Sequence, residues 1–175
     1  PRARQDYVDA LVAGGAILAQ AGITTQLRLA AFMAVTSQET GGLTIVRENL
    51  SYTTAAQLKR TWPSRFADLA RAALFLRNPK KLANEVYGGR MGNEENGLDD
   101  DDGWRYRGGG LIQLTGRNSF RAAGLAIGVN LESQPELIES ADISLRAACW
   151  ELSQFVALCD KGDKGFRSVC NGINR

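Results

Sequence analysis

Apolar residues recur at helical spacing along most of this chain, and that period commits it to a mainly α fold. Val8, Leu11, Val12 and Leu18 mark a first amphipathic segment. Leu27, Ala30, Ala31, Ala34 and Val35 mark a second, with Thr24 or Thr25 placed to cap it. Phe66, Leu69, Ala70, Ala73 and Leu74 repeat the pattern as far as Asn78-Pro79. There a proline at the first helical position opens a shorter helix with Leu82, Ala83, Val86 and Tyr87 on one side, ended by Gly88-Gly89. A helix near 117–126, a turn and helix at Gln134-Pro135, and a long helix over about 142–158 follow, the last with Leu145, Ala148, Cys149, Leu152 and Val156 in register. Residues 88–110, rich in glycine, read as a long irregular loop of the kind that carries function. Residues 111–114 form the best extended segment, so the class is mainly α with minor β around a cleft. No repeat, low-complexity tract or linker divides residues 1–175, which are expected to form one domain.

Composition removes several function classes. The chain has no histidine, which excludes His-based triads, HExxH zinc proteases and most catalytic zinc sites. Lys and Arg number 21 against 19 Asp and Glu, and a net charge of +2 falls short of a nucleic-acid-binding signature. The three cysteines, Cys149, Cys159 and Cys170, are an odd count, read as buried or half-buried thiols with one optional bridge. The most apolar early stretch, 7–21, is too short to cross a bilayer, and it lacks the basic n-region and cleavage site of an export signal.

The sharpest local feature is Gln38-Glu39-Thr40-Gly41-Gly42 at the end of the second helix. Glu39 follows Ala31 and Val35 at steps of four, which puts it at the rim of the apolar stripe. Desolvation there raises a carboxyl pKa, as a general acid near neutral pH requires. The alternative is an ordinary glutamate in a last helical turn, a position the helix dipole disfavours. Glu48 lies nine residues on, and unbroken helix would place it on the opposite face. Gly41-Gly42 allow the chain to reverse, so that Glu48 can face Glu39 across a cleft. Two carboxyls about 6.5 to 9.5 Å apart suit an inverting glycosidase. The alternative for Glu48 is an ion pair with Arg47 or Arg28. Further on, triple glycine at 108–110 permits close backbone approach, and Gln113 and Thr115 alternate with Ile112 and Leu114, directing two polar side chains toward a cleft. The acidic run 99–102 fails the EF-hand pattern, because the twelfth position is Gly110, and reads as a solvated loop or an adventitious cation site.

Together these stretches resemble glycoside hydrolase family 19, particularly its lysozyme-like phage endolysin and bacterial chitinase-like branch. QETGG at 38–42 is similar to HE(S/T)GG, and RENLSYT at 47–53 to ENLNYS. ANEVYGGRMGN at 83–93 is similar to AN-VY--RMGN, and DGWRYRGGGLIQLTG at 102–116 to DGW-YRGRGLIQLTG. Asn171-Gly172 resembles the start of INGG. The resemblance implies a lysozyme-like two-lobed helical domain with Glu39 as catalytic acid, Glu48 as catalytic base and Thr115 holding the attacking water. It further implies Gln113, Tyr87, Arg107 and Asn171 as residues that orient the sugar, and no cofactor or metal. The expected substrate is peptidoglycan, with chitin as the alternative, and the expected state a monomer with no nucleic-acid partner. Synthesis in the cytoplasm and action on the cell wall after release, or as part of a larger phage or bacterial protein, would fit. Departures are Gln38 for the usual His, Gly109 for the second Arg of YRGRG, and Cys170 and Ile173 for Ile and Gly. They keep open a third alternative, an inactive glycan-binding protein of the same fold.

Overall fold

The computed structural model describes residues 2–94 and 101–173. Eleven α-helices carry these residues: α1 Gln5–Ala13, α2 Gly15–Gln20, α3 Gln26–Glu39, α4 Ala55–Thr61, α5 Leu69–Ala73, α6 Pro79–Tyr87, α7 Asp102–Arg105, α8 Arg117–Ile127, α9 Ala141–Ser153, α10 Val156–Cys159 and α11 Gly162–Ile173. A 3-10 helix, Pro135–Glu139, precedes α9. Side-chain caps start four of them. Thr25, Thr54, Asp68 and Asn78 accept from the N–H of Arg28, Gln57, Arg71 and Lys81 at 3.3, 3.4, 2.8 and 3.1 Å.

Two apolar clusters make two lobes. The larger gathers Tyr7, Phe32, Val35, Tyr106, Leu111, Phe120, Leu131 and Ile138 around the buried face of α9, Leu145, Ala148, Cys149 and Leu152. The smaller joins Leu50, Leu58, Phe66, Ala72, Phe75, Leu82, Ala83 and Val86 from α4, α5 and α6. This is the mainly α, two-lobed architecture with a cleft that the sequence led us to expect.

Several boundaries differ from expectation. The first amphipathic segment is two helices, because a Cβ at Gly14 would lie 2.4 Å from Leu145 Cδ2 and the chain is pinched there against α9. Only five residues of the third segment are helical; Leu69 and Leu74 are exposed, and the buried members are Phe66, Ala72 and Phe75. The long helix breaks at Gln154-Phe155. Residues 111–114 are not a strand: Gly110 and Gln113 have φ of +73° and +49°, Gln113 N–H closes a turn onto Gly110 O at 3.2 Å, and β pairing there is limited to the bridges Arg47 to Gly109 and Gly109 to Leu114. Helix α7 lies inside the stretch read as a loop, and α11 has no counterpart in the sequence reading.

Of the acidic run, residues 99 and 100 lie outside the described residues. Asp101 pairs with Lys80, and Asp102 is buried with its carboxylate 3.2 Å from Arg117. Among the described residues no helix is long and apolar enough to cross a membrane, and no group of three His, Cys, Asp or Glu is placed to hold a metal. Cys149 and Cys159 are buried and Cys170 is half-buried; burial pushes the Cys149 thiol up to about 12.

Candidate active site

Helix α3 stops because three successive residues, Gly41, Gly42 and Leu43, take positive φ of 55°, 75° and 64°. Gly42 N–H reaches back to Ser37 O at 2.8 Å, and Thr40 Oγ1 accepts from Leu43 N–H at 2.9 Å, so the reversal is hydrogen-bonded throughout. The returning segment pairs with the glycine run: Gly110 N–H donates to Val46 O and Glu48 N–H to Gly108 O, both at 2.8 Å. This brings Glu48 back to the cleft wall. A Cβ at Gly108 would sit 2.9 Å from Gln113 Oε1 and 3.3 Å from Glu48 Cβ, so glycine there is what lets Glu48 approach.

Glu39, Glu48, Tyr87, Gln113 and Thr115 all line one open cleft of about 660 Å³ between the lobes. Tyr87 Oη donates to the Glu48 carboxylate, 2.9 Å from each oxygen, and Gly108 N–H adds a bond to Oε2 at 3.3 Å. Tyr87 is itself fixed at the end of α6, where Asn93 Nδ2 donates to its carbonyl at 3.0 Å and Asn93 Oδ1 accepts from Arg117 N–H at 2.8 Å. Burial pushes the Glu48 carboxyl up, and the Tyr87 hydroxyl, Gly108 N–H, Arg107 and Arg47 oppose it. Burial alone pushes Glu39 up. Burial and the facing Glu48 hold the Tyr87 hydroxyl protonated, which keeps it a donor. Thr115 Oγ1 donates to Gln113 O at 2.9 Å, which commits its hydrogen and leaves the oxygen an acceptor on a cleft-lining residue.

Two expected site residues are not on the cleft wall. Arg107 stacks 3.4 Å from the Trp104 ring centroid and donates to Trp104 O at 2.7 Å, acting on Glu48 only through its charge. Asn171 is exposed on α11, whereas Gly172 and Ile173 line the cleft. Neither arginine offered as a Glu48 partner forms an ion pair with it: Arg28 pairs with Asp160 and Arg47 with Glu139. Met91, Ser119, Glu151, Gln154 and Phe155 also line the wall, and none of them was expected there. Glu151 stands three residues after Ala148, beside the buried stripe of α9, and that spacing was the available signal. Phe155 sits at the break after α9, against Gly172, where a Cβ would meet its ring at 2.6 Å.

Comparison with known proteins decides the family. A glycosyl hydrolase family 19 domain-containing protein of Haemophilus influenzae is 32% identical over 158 residues, which cover 89% of this chain and 76% of that one. The chain belongs to glycosyl hydrolase family 19. Two plant members align over shorter stretches. Acidic endochitinase Q of Nicotiana tabacum is 46% identical over 29% of this chain and 21% of its own length; chitinase 8 of Oryza sativa subsp. japonica is 44% identical over 26% and 18%. No family model matches the chain. Membership in family 19 supports a glycosidase with a polysaccharide substrate.

Proposed function

We propose that this family 19 protein hydrolyses β-1,4 glycosidic bonds of bacterial peptidoglycan by an inverting mechanism, with Glu39 as acid and Glu48 as base. The observation that carries the reading is that the two carboxyls line the same cleft with different partners: burial pushes both up, and only Glu48 has donors and cations that oppose it. Among the described residues no donor is aimed at Glu39, and burial favours its protonated form. Two donors are aimed at Glu48, and they favour its ionised form.

With a sugar seated between them, Glu39 gives its proton to the leaving glycosidic oxygen as the C–O bond breaks. Glu48 takes a proton from a water that attacks the anomeric carbon from the other face. Thr115 Oγ1, its own hydrogen committed to Gln113 O, accepts the water's second hydrogen and leaves a lone pair pointing at carbon. Gln113 and Tyr87 flank the ring. On this reading the protein acts on the cell wall, made in the cytoplasm and released to the periplasm, or working within a larger phage or bacterial protein.

Peptidoglycan is favoured because the QETGG and DGWRYRGGGLIQLTG blocks resemble the lysozyme-like branch, and because the likeness to plant chitinases covers under a third of this chain. Chitin is the second reading, on the higher identity of those short stretches. Digestion of purified peptidoglycan and of chitin oligomers, with the new reducing ends identified by mass spectrometry, tests the proposal. New N-acetylmuramic acid ends are expected, and Glu39→Gln should lower the rate by about 100-fold or more. N-acetylglucosamine ends from chitin alone would favour the second reading. No cleavage of either polymer, with unaltered glycan binding by Glu39→Gln, would mean an inactive binding protein.

A further inference from the structure

Arg47 is the most deeply placed cation beside the cleft, and the mechanism above leaves it unused. Its side chain is 11% exposed. Nη2 donates to Arg105 O and Nε lies 3.6 Å from Glu139 Oε1, while neither Nε nor Nη1 has a hydrogen-bond partner. The guanidinium stands 5.7 Å from the Phe120 ring centroid. A cation so enclosed is costly unless its charge is balanced nearby. The groups that face it are Glu139, Glu136 and Glu48, with Arg107 opposing them; burial pulls its pKa down to about 10, and it stays charged at neutral pH.

The space it fills belongs to another position. A Cβ at Gly109 would fall 2.5 Å from Arg47 Nη1, 3.4 Å from Arg47 Cδ and 2.8 Å from Ile138 Cγ2. Gly109 does not take positive φ, so its conformation is open to any residue and the bar to a side chain is steric. Arg47 and Gly109 are also bridge partners, in the same ladder that ties Glu48 N–H to Gly108 O. The side chain at 47 therefore folds back over position 109, directly behind the backbone that presents Glu48.

We propose that Arg47 is the positioning residue of this site: its guanidinium occupies the room of a side chain at 109, clamps the 46–48 segment to the glycine run, and sets a positive charge behind Glu48. The inference rests on the reading of Glu48 as the base. It also accounts for the glycine at 109, where the resembled motif has arginine: here the guanidinium arrives from the facing segment. Residues 47 and 109 are then a reciprocal pair, in which one large cationic side chain is admitted and two are not.

The test titrates Glu48 directly by NMR of protein labelled at glutamate carboxyl carbons, with Glu48→Gln assigning the resonance, and so does not require hydrolysis. Arg47→Met keeps the bulk and removes the charge. With Tyr87, Gly108 N–H and Arg107 still in place, its Glu48 midpoint should rise by about one pH unit, and Arg47→Lys should stay close to wild type. On glycan substrate, kcat of Arg47→Met should fall by about 10-fold or more with KM changed less than about 3-fold, and the acid limb of the pH profile should move up with the midpoint. Arg47→Ala/Gly109→Arg, which moves the guanidinium to the other side of the pair, should bring the midpoint back toward wild type. A folded Arg47→Met with an unmoved midpoint overturns the proposal, whether or not the wild type cleaves glycan. If Arg47→Met does not fold, a double variant whose midpoint lies about one unit or more above that of Arg47→Lys overturns it instead. A midpoint that rises as expected in Arg47→Met, when the wild type cleaves nothing, would keep the positioning role and remove the base.

Discussion

The hydroxyl of Tyr87 stands 2.9 Å from both carboxylate oxygens of Glu48, so one donor from the end of α6 serves the whole carboxylate. Tyr87→Phe removes that donor and little else. Because the bond favours the charged form, its loss should raise the Glu48 pKa. A base must be ionised, so the acid limb of the kcat profile should move to higher pH, and kcat at neutral pH should fall by about 5- to 50-fold. Rates across the acid range check this; an unmoved limb would mean that the hydroxyl does not act on the base.

Glu39 carries a cost in stability that its proposed role explains. Its folded pKa lies above the unfolded value because burial penalises the charge, so stability is fully present below the unfolded pKa and is lost as pH rises through the folded one. Glu39→Gln should therefore melt higher than wild type near neutral pH, by about 1–2 °C given the solvent that reaches this half-buried group. At about pH 3, where both states are protonated, the difference should vanish. Thermal melts at the two pH values test it, and an equal gain at both would point to packing as the cause.

Two glycines separate conformational from steric demand. Gly116 and Gly128 both take positive φ, 87° and 70°. A Cβ at Gly128 meets nothing within 4 Å, whereas one at Gly116 would lie 2.4 Å from Met91 Cβ and 3.0 Å from Met91 O. Gly128→Ala should cost about 1 kcal/mol and leave the rate unchanged. Gly116→Ala should cost about 2–4 kcal/mol by denaturant unfolding and lower kcat as well, since Thr115 is its neighbour. Equal costs would contradict the contact with Met91.

The helical period was legible because it is local. The cap at Thr25, the proline start of α6 and the stop at Gly88 follow from residue chemistry within one turn. The diglycine bend after Glu39 was legible for the same reason. What the sequence hid is set by distant partners. The break at Gly14 comes from Leu145, and the turn at 111–114 is held by bonds to the 45–46 segment, Gly110 N–H to Val46 O and Gln113 Nε2 to Ile45 O. A site lining that includes Glu151 and Phe155 depends on how α11 packs, and α11 itself was not foreseen. Arg107 carries the charge expected of a site residue but spends its face on Trp104, a contact that no spacing announces. Leu27, 54% exposed on α3, shows the reverse case, an apolar position in register that the core does not use.

Two carboxyls that work from opposite faces of one sugar, one as acid and one as base, invert the anomeric carbon. The anomeric form of the first product reports on this directly, before mutarotation, by proton NMR during cleavage of soluble glycan strands. A β-linked substrate should release the α-anomer first. Initial release of the β-anomer would contradict it, because retention requires a carboxylate or the substrate itself, rather than water, to attack the anomeric carbon.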